Sequence, residues 1–148
     1  DRRAGASGVS FGAAFVLLTQ ALPYGGAECD QAIADSGVQF ELNVCAWREH
    51  EGENKKLNAA WAKAREHAKF NDAAYRDSTF YREDDEGRYF ALLLAEQRAW
   101  LQFRDMSCAV AADKYRNGSM RPMVYSKCMT QMTKDRTVAL EAYLGPDY

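Results

Sequence analysis

The chain has 148 residues, with 19 basic and 21 acidic side chains, a formal net charge of -2 and an isoelectric point of about 5.7. This balance argues against a nucleic-acid-binding protein, which would carry a basic footprint. Hydrophobic residues make up 47% and charged residues 27%, which excludes wholesale disorder. No apolar run of about 18 residues occurs, which excludes a polytopic membrane protein. The length predicts one domain.

The first residues have the pattern of a secretory signal peptide. Two arginines precede an apolar stretch at 9–22, and small residues follow up to Ala27. We expect residues 1–27 to be a signal peptide, truncated because no initiator Met is present, and residues 28–148 to be a single exported domain without stable membrane insertion. Cleavage removes two bases and one acid, so the net charge changes from -2 to -3. The alternatives are a retained helix, in the core or as an anchor, and a weaker possibility of a lipid anchor at Cys29.

All four cysteines follow the expected cleavage point. An even number in an exported chain predicts disulfides, with free buried thiols as the alternative. No C-x-x-C pair is present, and neither histidine has a cysteine at zinc-like spacing. We therefore expect no metal site and no thioredoxin-like redox chemistry.

The residues after the first cysteine predict a long helix. Ser36 and Gln39 match a capping box, and apolar residues then recur at three- and four-residue steps as far as Ala68. Gly52, in a polar stretch, is a weak point where the helix could bend or break. Residues 69–83 are predicted to be a connector.

A second helix is predicted to begin near Asp84, because an acidic run suits a helix N-terminus. One stripe of this helix combines apolar residues with two polar ones. The stripe consists of Leu93, Gln97, Trp100, Arg104, Cys108, Ala111 and Tyr115.

The sequence Asn117-Gly118-Ser119 predicts a turn, and Pro122 begins a third helix. That helix has Val124, Cys128, Met132, Ala139 and Tyr143 on its predicted inner face and stops at Gly145-Pro146. No segment alternates convincingly as a strand. The predicted fold is all-α, a small antiparallel bundle of three to four helices.

The turn also predicts the disulfide pairing. Cys108 and Cys128 each lie ten residues from Gly118, so they face each other in an antiparallel hairpin. Cys29 and Cys45 pair by elimination. A bond closing a loop of about 20 residues is worth roughly 3 kcal/mol.

Several motifs together resemble the LprI-type lysozyme inhibitor family. The central one is Q-x-x-W-x-x-x-R-D-x-x-C. Its residues here are Gln97, Trp100, Arg104, Asp105 and Cys108, and the accompanying ones are the four cysteines, Leu57-Asn58, the turn at 117–119 and Arg136 within 133–140. The resemblance covers residues 29–144. It implies a small, exported, helical, four-cysteine domain that inhibits lysozyme.

Two surface elements are candidates for partner binding. The acidic run could steer a basic lysozyme, or could be a solvated helix start. The turn could insert into a cleft, or could be a plain connection. The candidate residues are Glu83, Asp84, Asp85 and Glu86 in the run, and Asn117, Gly118 and Ser119 in the turn.

The motif residues Gln97, Trp100, Arg104, Asp105 and Arg136 are interpreted as structural. Trp100 is expected in the core. The Arg104 head group is expected to bond to helix ends or to the turn, and Asp105 to pair with a base on the third helix. A binding stripe is the alternative.

No catalytic constellation is recognisable, and His50 and His67 are expected at the surface. We therefore expect no enzyme activity and no cofactor. The predicted function is to bind and occlude a lysozyme or related peptidoglycan hydrolase in the periplasm or after secretion. The alternatives are a periplasmic structural or adaptor module without inhibitory activity and, more weakly, a small-molecule binder with a large apolar cavity.

Overall fold

The computed structural model describes residues 23–83 and 88–145, and this part of the chain contains helices and turns but no strand. The predicted all-α bundle is therefore confirmed. Its elements are the 3-10 turn Pro23–Gly26 and the helices α1 Gln31–Asp35, α2 Gln39–Arg76, α3 Arg88–Asp113 and α4 Arg121–Leu144. Within the described residues, no helix is both long and apolar enough to cross a bilayer. Most of the predicted signal peptide, including 9–22, lies outside the described residues.

The three long helices run up, down and up. Thus α3 is antiparallel to both neighbours, and α2 and α4 lie parallel in the most extensive contact of the bundle. At four-residue spacing, α2 presents Ala60, Ala64 and Ala68, which are 0–4% exposed. These small side chains let α4 approach closely, so that Leu140 and Leu144 complete the core.

Both predicted disulfides are confirmed. Cys29–Cys45 ties the segment before α1 to α2, with Cα atoms 4.6 Å apart. Cys108–Cys128 joins α3 to α4, with Cα atoms 5.4 Å apart. Each of the long helices is therefore covalently fixed at the same end of the bundle.

The predicted capping box at the start of α2 is wrong. Asp30 caps the short helix α1 by accepting the Ile33 N–H at 3.0 Å, and the Ser36 hydroxyl donates to the Ile33 carbonyl at 2.7 Å. The residue that precedes α2 is Val38, whose side chain makes no capping bond. Ser36 therefore ends one helix instead of beginning the next.

Gly52 does not break α2, and the predicted connector at 69–83 begins too early. Helix α2 continues through Gly52 without a break and ends at Arg76. A helical glycine costs about 1 kcal/mol relative to alanine, and the core packing that follows at Leu57 and beyond outweighs that cost. The connector between α2 and α3 is correspondingly shorter than predicted.

The inner face of α4 is more polar than its apolar pattern predicted. Ala139 is exposed, whereas Thr130, Thr133 and Thr137 are 0–8% exposed. The hydroxyls of Thr130 and Thr137 donate to the carbonyl oxygens of Ser126 and Thr133, each at 2.9 Å. Because these hydroxyls are satisfied within their own helix, the threonines pack like small apolar residues.

Candidate partner-binding surface

The turn between α3 and α4 is the exposed end of a covalently closed hairpin. Asn117, Gly118 and Ser119 are all exposed. Gly118 N–H donates to the Tyr115 carbonyl at 2.8 Å, and Arg121 N–H donates to the Gly118 carbonyl at 3.2 Å. These bonds close two successive tight turns, so the exposed residues sit on a fixed backbone. Tyr115, predicted on the inner stripe of α3, lies beyond the helix and is 37% exposed.

Helix α2 supports this turn from one side. The Asn43 Nδ2 atom donates to the Ser119 carbonyl at 3.0 Å, and its Oδ1 accepts from Gln39 Nε2 at 2.9 Å. Asn43 is only 7% exposed, so these bonds form away from bulk water, where an unmade bond would be costly. The turn is therefore held by α2 as well as by its own two helices.

The charge around the turn is positive. Residues 113–121 contain Lys114, Arg116 and Arg121, with Asp113 as the single acid. Arg116 and Asp113 are 3.3 Å apart, but both side chains are more than half exposed. Such a pair contributes little to stability. The turn thus presents a basic surface on a chain whose net charge is negative.

Of the second predicted element, the structure describes Glu83, which lies at the other end of α3 from the turn. Glu83 is exposed just before α3, and Asp84, Asp85 and Glu86 lie outside the described residues. The turn follows the other end of α3, a helix of 26 residues, so about 39 Å separate its two ends. The fold therefore does not bring Glu83 and the turn into one site.

The family-motif residues lie between α3 and α4 instead. The Arg136 guanidinium donates to both carboxylate oxygens of Glu96 at 2.7 Å, and its Nε donates to Gln97 Oε1 at 2.8 Å. The bidentate bond lowers the pKa of Glu96. Gln97 is 6% exposed, whereas the Glu96 side chain is 57% exposed, so this network joins the two helices from the buried interior to the surface.

Arg104 extends the same network. Its Nη1 donates to Thr133 Oγ1 at 3.3 Å, and its Nε donates to Asp105 Oδ1 at 3.0 Å. The guanidinium carbons of Arg104 and Arg136 lie 5.1 and 5.6 Å from the centre of the Trp100 ring. The predicted bond from Arg104 to the turn or helix ends is wrong, and so is the pairing of Asp105 with α4. These contacts favour a structural role for the motif, which stays a prediction.

Both histidines differ from the predicted surface positions. His50 is 6% exposed and lies edge-on to Trp47, with ring centres 5.6 Å apart. Burial, followed by the charge of Arg104, lowers the pKa of His50. His67 is half-buried, 6.0 Å from the ring of Tyr143. Sequence reasoning missed His50 because its immediate neighbours in the chain are charged.

Among residues 23–83 and 88–145, no group of three or more His, Cys, Asp or Glu side chains could hold a metal ion. A cleft of about 530 Å³ beside Cys29–Cys45 is lined in part by Arg48, Glu49 and Lys127. Such charged walls differ from the apolar cavity that a small-molecule binder would require.

Comparison with known proteins agrees with this architecture. The family model described as Lysozyme inhibitor LprI matches residues 29–140, which include all four cysteines, the turn and Arg136. An uncharacterized protein of Rhizobium meliloti (strain 1021) is 30% identical over 117 residues, covering 77% of this chain and 76% of that protein. No solved structure matches the chain. The chain therefore belongs to the lysozyme inhibitor LprI family.

Proposed function

We propose that the protein is exported to the periplasm or the medium, where it binds a lysozyme or a related peptidoglycan hydrolase and occludes its cleft. It needs no cofactor and catalyses no reaction in this role. Family membership supports the proposal. The two disulfides support export, because such bonds persist in oxidising compartments. The observation that carries the proposal is the exposed turn at 117–119, clamped between disulfide-linked helices.

The turn suits the chemistry of a glycosidase cleft. Such a cleft holds two carboxyl groups that flank the scissile bond. A narrow turn beside Lys114, Arg116 and Arg121 can fill the sugar-binding space and place positive charge near those carboxylates. Its fixed backbone means that little conformational entropy is lost on binding.

The acidic run serves a different step in this proposal. A C-type lysozyme is basic overall, and an acidic segment far from the contact can raise the rate of encounter without touching the cleft. Replacing all four acids of 83–86 by their amides should lower the association rate severalfold at low salt and leave the dissociation rate unchanged. An unchanged association rate would contradict a role of the acidic run in steering the encounter.

The test uses protein produced with export, so that both disulfides form, against a panel of lysozymes acting on peptidoglycan. Wild-type protein should inhibit at least one enzyme at or below tens of micromolar. The double variant Asn117→Glu/Ser119→Glu should lose this inhibition, because its new charges repel the cleft carboxylates. The control Thr79→Glu adds negative charge at another exposed connector residue and should still inhibit.

Failure to inhibit any panel member would contradict the proposal. If the double turn variant still inhibits, the turn is not the surface that contacts the hydrolase. Capture of a non-hydrolase envelope protein, with no inhibition, would support the adaptor alternative instead.

A further inference from the structure

The solvent-facing side of α3 is unusually apolar. Leu92, Phe103, Met106 and Val110 are 57%, 63%, 68% and 71% exposed, and Ala99 is exposed between them. The steps of seven, four, three and four residues place all five on one line of the helix. We call this line the α3 ridge. It extends over about 27 Å.

The ridge is also nearly free of charge. Between Leu92 and Val110, the one position in register with the ridge that carries a charged residue is Glu96. Its carboxylate is neutralised by the bidentate bond from Arg136. Large exposed apolar patches on soluble proteins mark interaction surfaces.

We propose that the α3 ridge binds the α3 ridge of a second copy, antiparallel, about a two-fold axis. The alternating three- and four-residue steps are the spacing by which the side chains of two helices interlock along a seam. Its four large side chains expose on the order of 500 Å² per copy, so a pair would bury about 1,000 Å². That area is at the lower limit of specific interfaces, which points to a reversible dimer.

Charge selects the antiparallel arrangement over the parallel one. Residues 82–88, which lead into α3, contain four acids and two arginines, whereas residues 113–121, which follow it, contain three bases and one acid. Antiparallel pairing sets the acidic start of each copy beside the basic end of the other. Parallel pairing would set like charges together, which is costly. The helix dipoles also favour the antiparallel pair.

The inference does not rest on the proposed function, and sedimentation velocity tests it directly. Exported, disulfide-intact protein should change from monomer to dimer between low and high micromolar concentration. Phe103→Glu or Met106→Glu should raise the dimer Kd at least about 100-fold, because each buries a charge in the apolar seam. Val138→Glu is the matched control, because Val138 is an apolar residue on α4 that is 64% exposed. The dimer Kd of this variant should equal that of the wild type.

A charge exchange tests the orientation. Lys114→Glu should raise the Kd about tenfold, and adding Glu83→Lys should restore much of the affinity, because only the antiparallel pair brings the start of one α3 near the end of the other. A monomer at every concentration would overturn the proposal, as would a dimer that Val138→Glu breaks and Phe103→Glu does not. A wild-type monomer whose lysozyme inhibition is lost in Phe103→Glu would also overturn it and assign the ridge to the hydrolase. Circular dichroism and intact mass confirm that each variant is folded and disulfide-bonded.

Discussion

The two sides of α3 differ in a way that reverses the usual distribution of residues. Its inner side buries Gln97 and Arg104, which are 6% and 7% exposed, while Phe103 and Val110 on its outer side are more than 60% exposed. The buried polar groups are acceptable because each has a hydrogen-bonding partner on the inner side. The exposed apolar groups have no such explanation within one chain. In the proposed dimer, the outer residues serve association, whereas the contacts of the inner residues favour a role in the fold.

The largest expected loss of stability follows from removing the disulfide that links α3 to α4. Cys108→Ser/Cys128→Ser should lower the free energy of unfolding by about 3 kcal/mol, because the bond closes a 20-residue loop in the unfolded chain. Denaturant unfolding measures this change. The control Cys29→Ser/Cys45→Ser opens a similar 16-residue loop and should cost nearly as much. Faster hydrogen exchange at 115–121 in both variants alike would contradict the picture of a hairpin clamped at Cys108–Cys128.

The next effect compares neighbouring residues on opposite sides of α3. Arg104→Ala should cost about 2 kcal/mol, because it removes the bond to Thr133 and leaves buried space beside Trp100. Phe103→Ser should change the free energy of unfolding by less than about 0.5 kcal/mol, because that ring is exposed. Unfolding is measured at low protein concentration so that pairing does not contribute. A greater loss in Phe103→Ser would show that the inner and outer sides have been misassigned.

A smaller effect on stability is expected at the start of α3, where Asp72 on α2 caps the helix. The Asp72 carboxylate on α2 accepts the N–H groups of Tyr89 and Phe90 at 2.9 and 3.0 Å. It therefore caps α3 from another helix. Asp72→Ala should cost about 1 kcal/mol in thermal or denaturant unfolding, and Asp72→Asn, which keeps one acceptor, should cost less. Equal stability of both variants and wild type would exclude the cap.

The features that sequence predicts correctly are those set by local chemistry. Gly118 favours a turn and Pro122 favours the first turn of a helix, and the symmetric spacing of Cys108 and Cys128 around the turn indicates a pairing. These rules need no knowledge of the other helices. For that reason the sequence predicts the helical hairpin, both disulfides and the fold class.

Apart from the mistaken capping box, where Ser36 bonds locally to Ile33, the features that sequence misses depend on partners distant in the chain. The cap of α3 is Asp72, and the partner of Arg104 is Thr133, 29 residues away. His50 is buried although its chain neighbours are charged, and it lies close enough to Arg104 and Asp105 on α3 for their charges to affect its pKa. The outer ridge of α3 was hidden for a related reason. Apolar residues occur on both sides of that helix, and periodicity alone does not say which side meets the core.

His50 gives the smallest expected effect and tests the inner side by pH. Its pKa in the folded state is lowered from about 6.5, first by burial and then by Arg104, against smaller opposing effects of Asp105 and Glu51. The unfolded chain therefore binds a proton more readily, and the free energy of unfolding should fall as the pH drops below about 6.5 towards the folded-state pKa. A single group contributes at most about 1.4 kcal/mol per pH unit, and only between its two pKa values. Denaturant unfolding at several pH values should show this loss in wild type but not in His50→Gln, whereas a wild-type slope that persists in the variant would assign it to other groups.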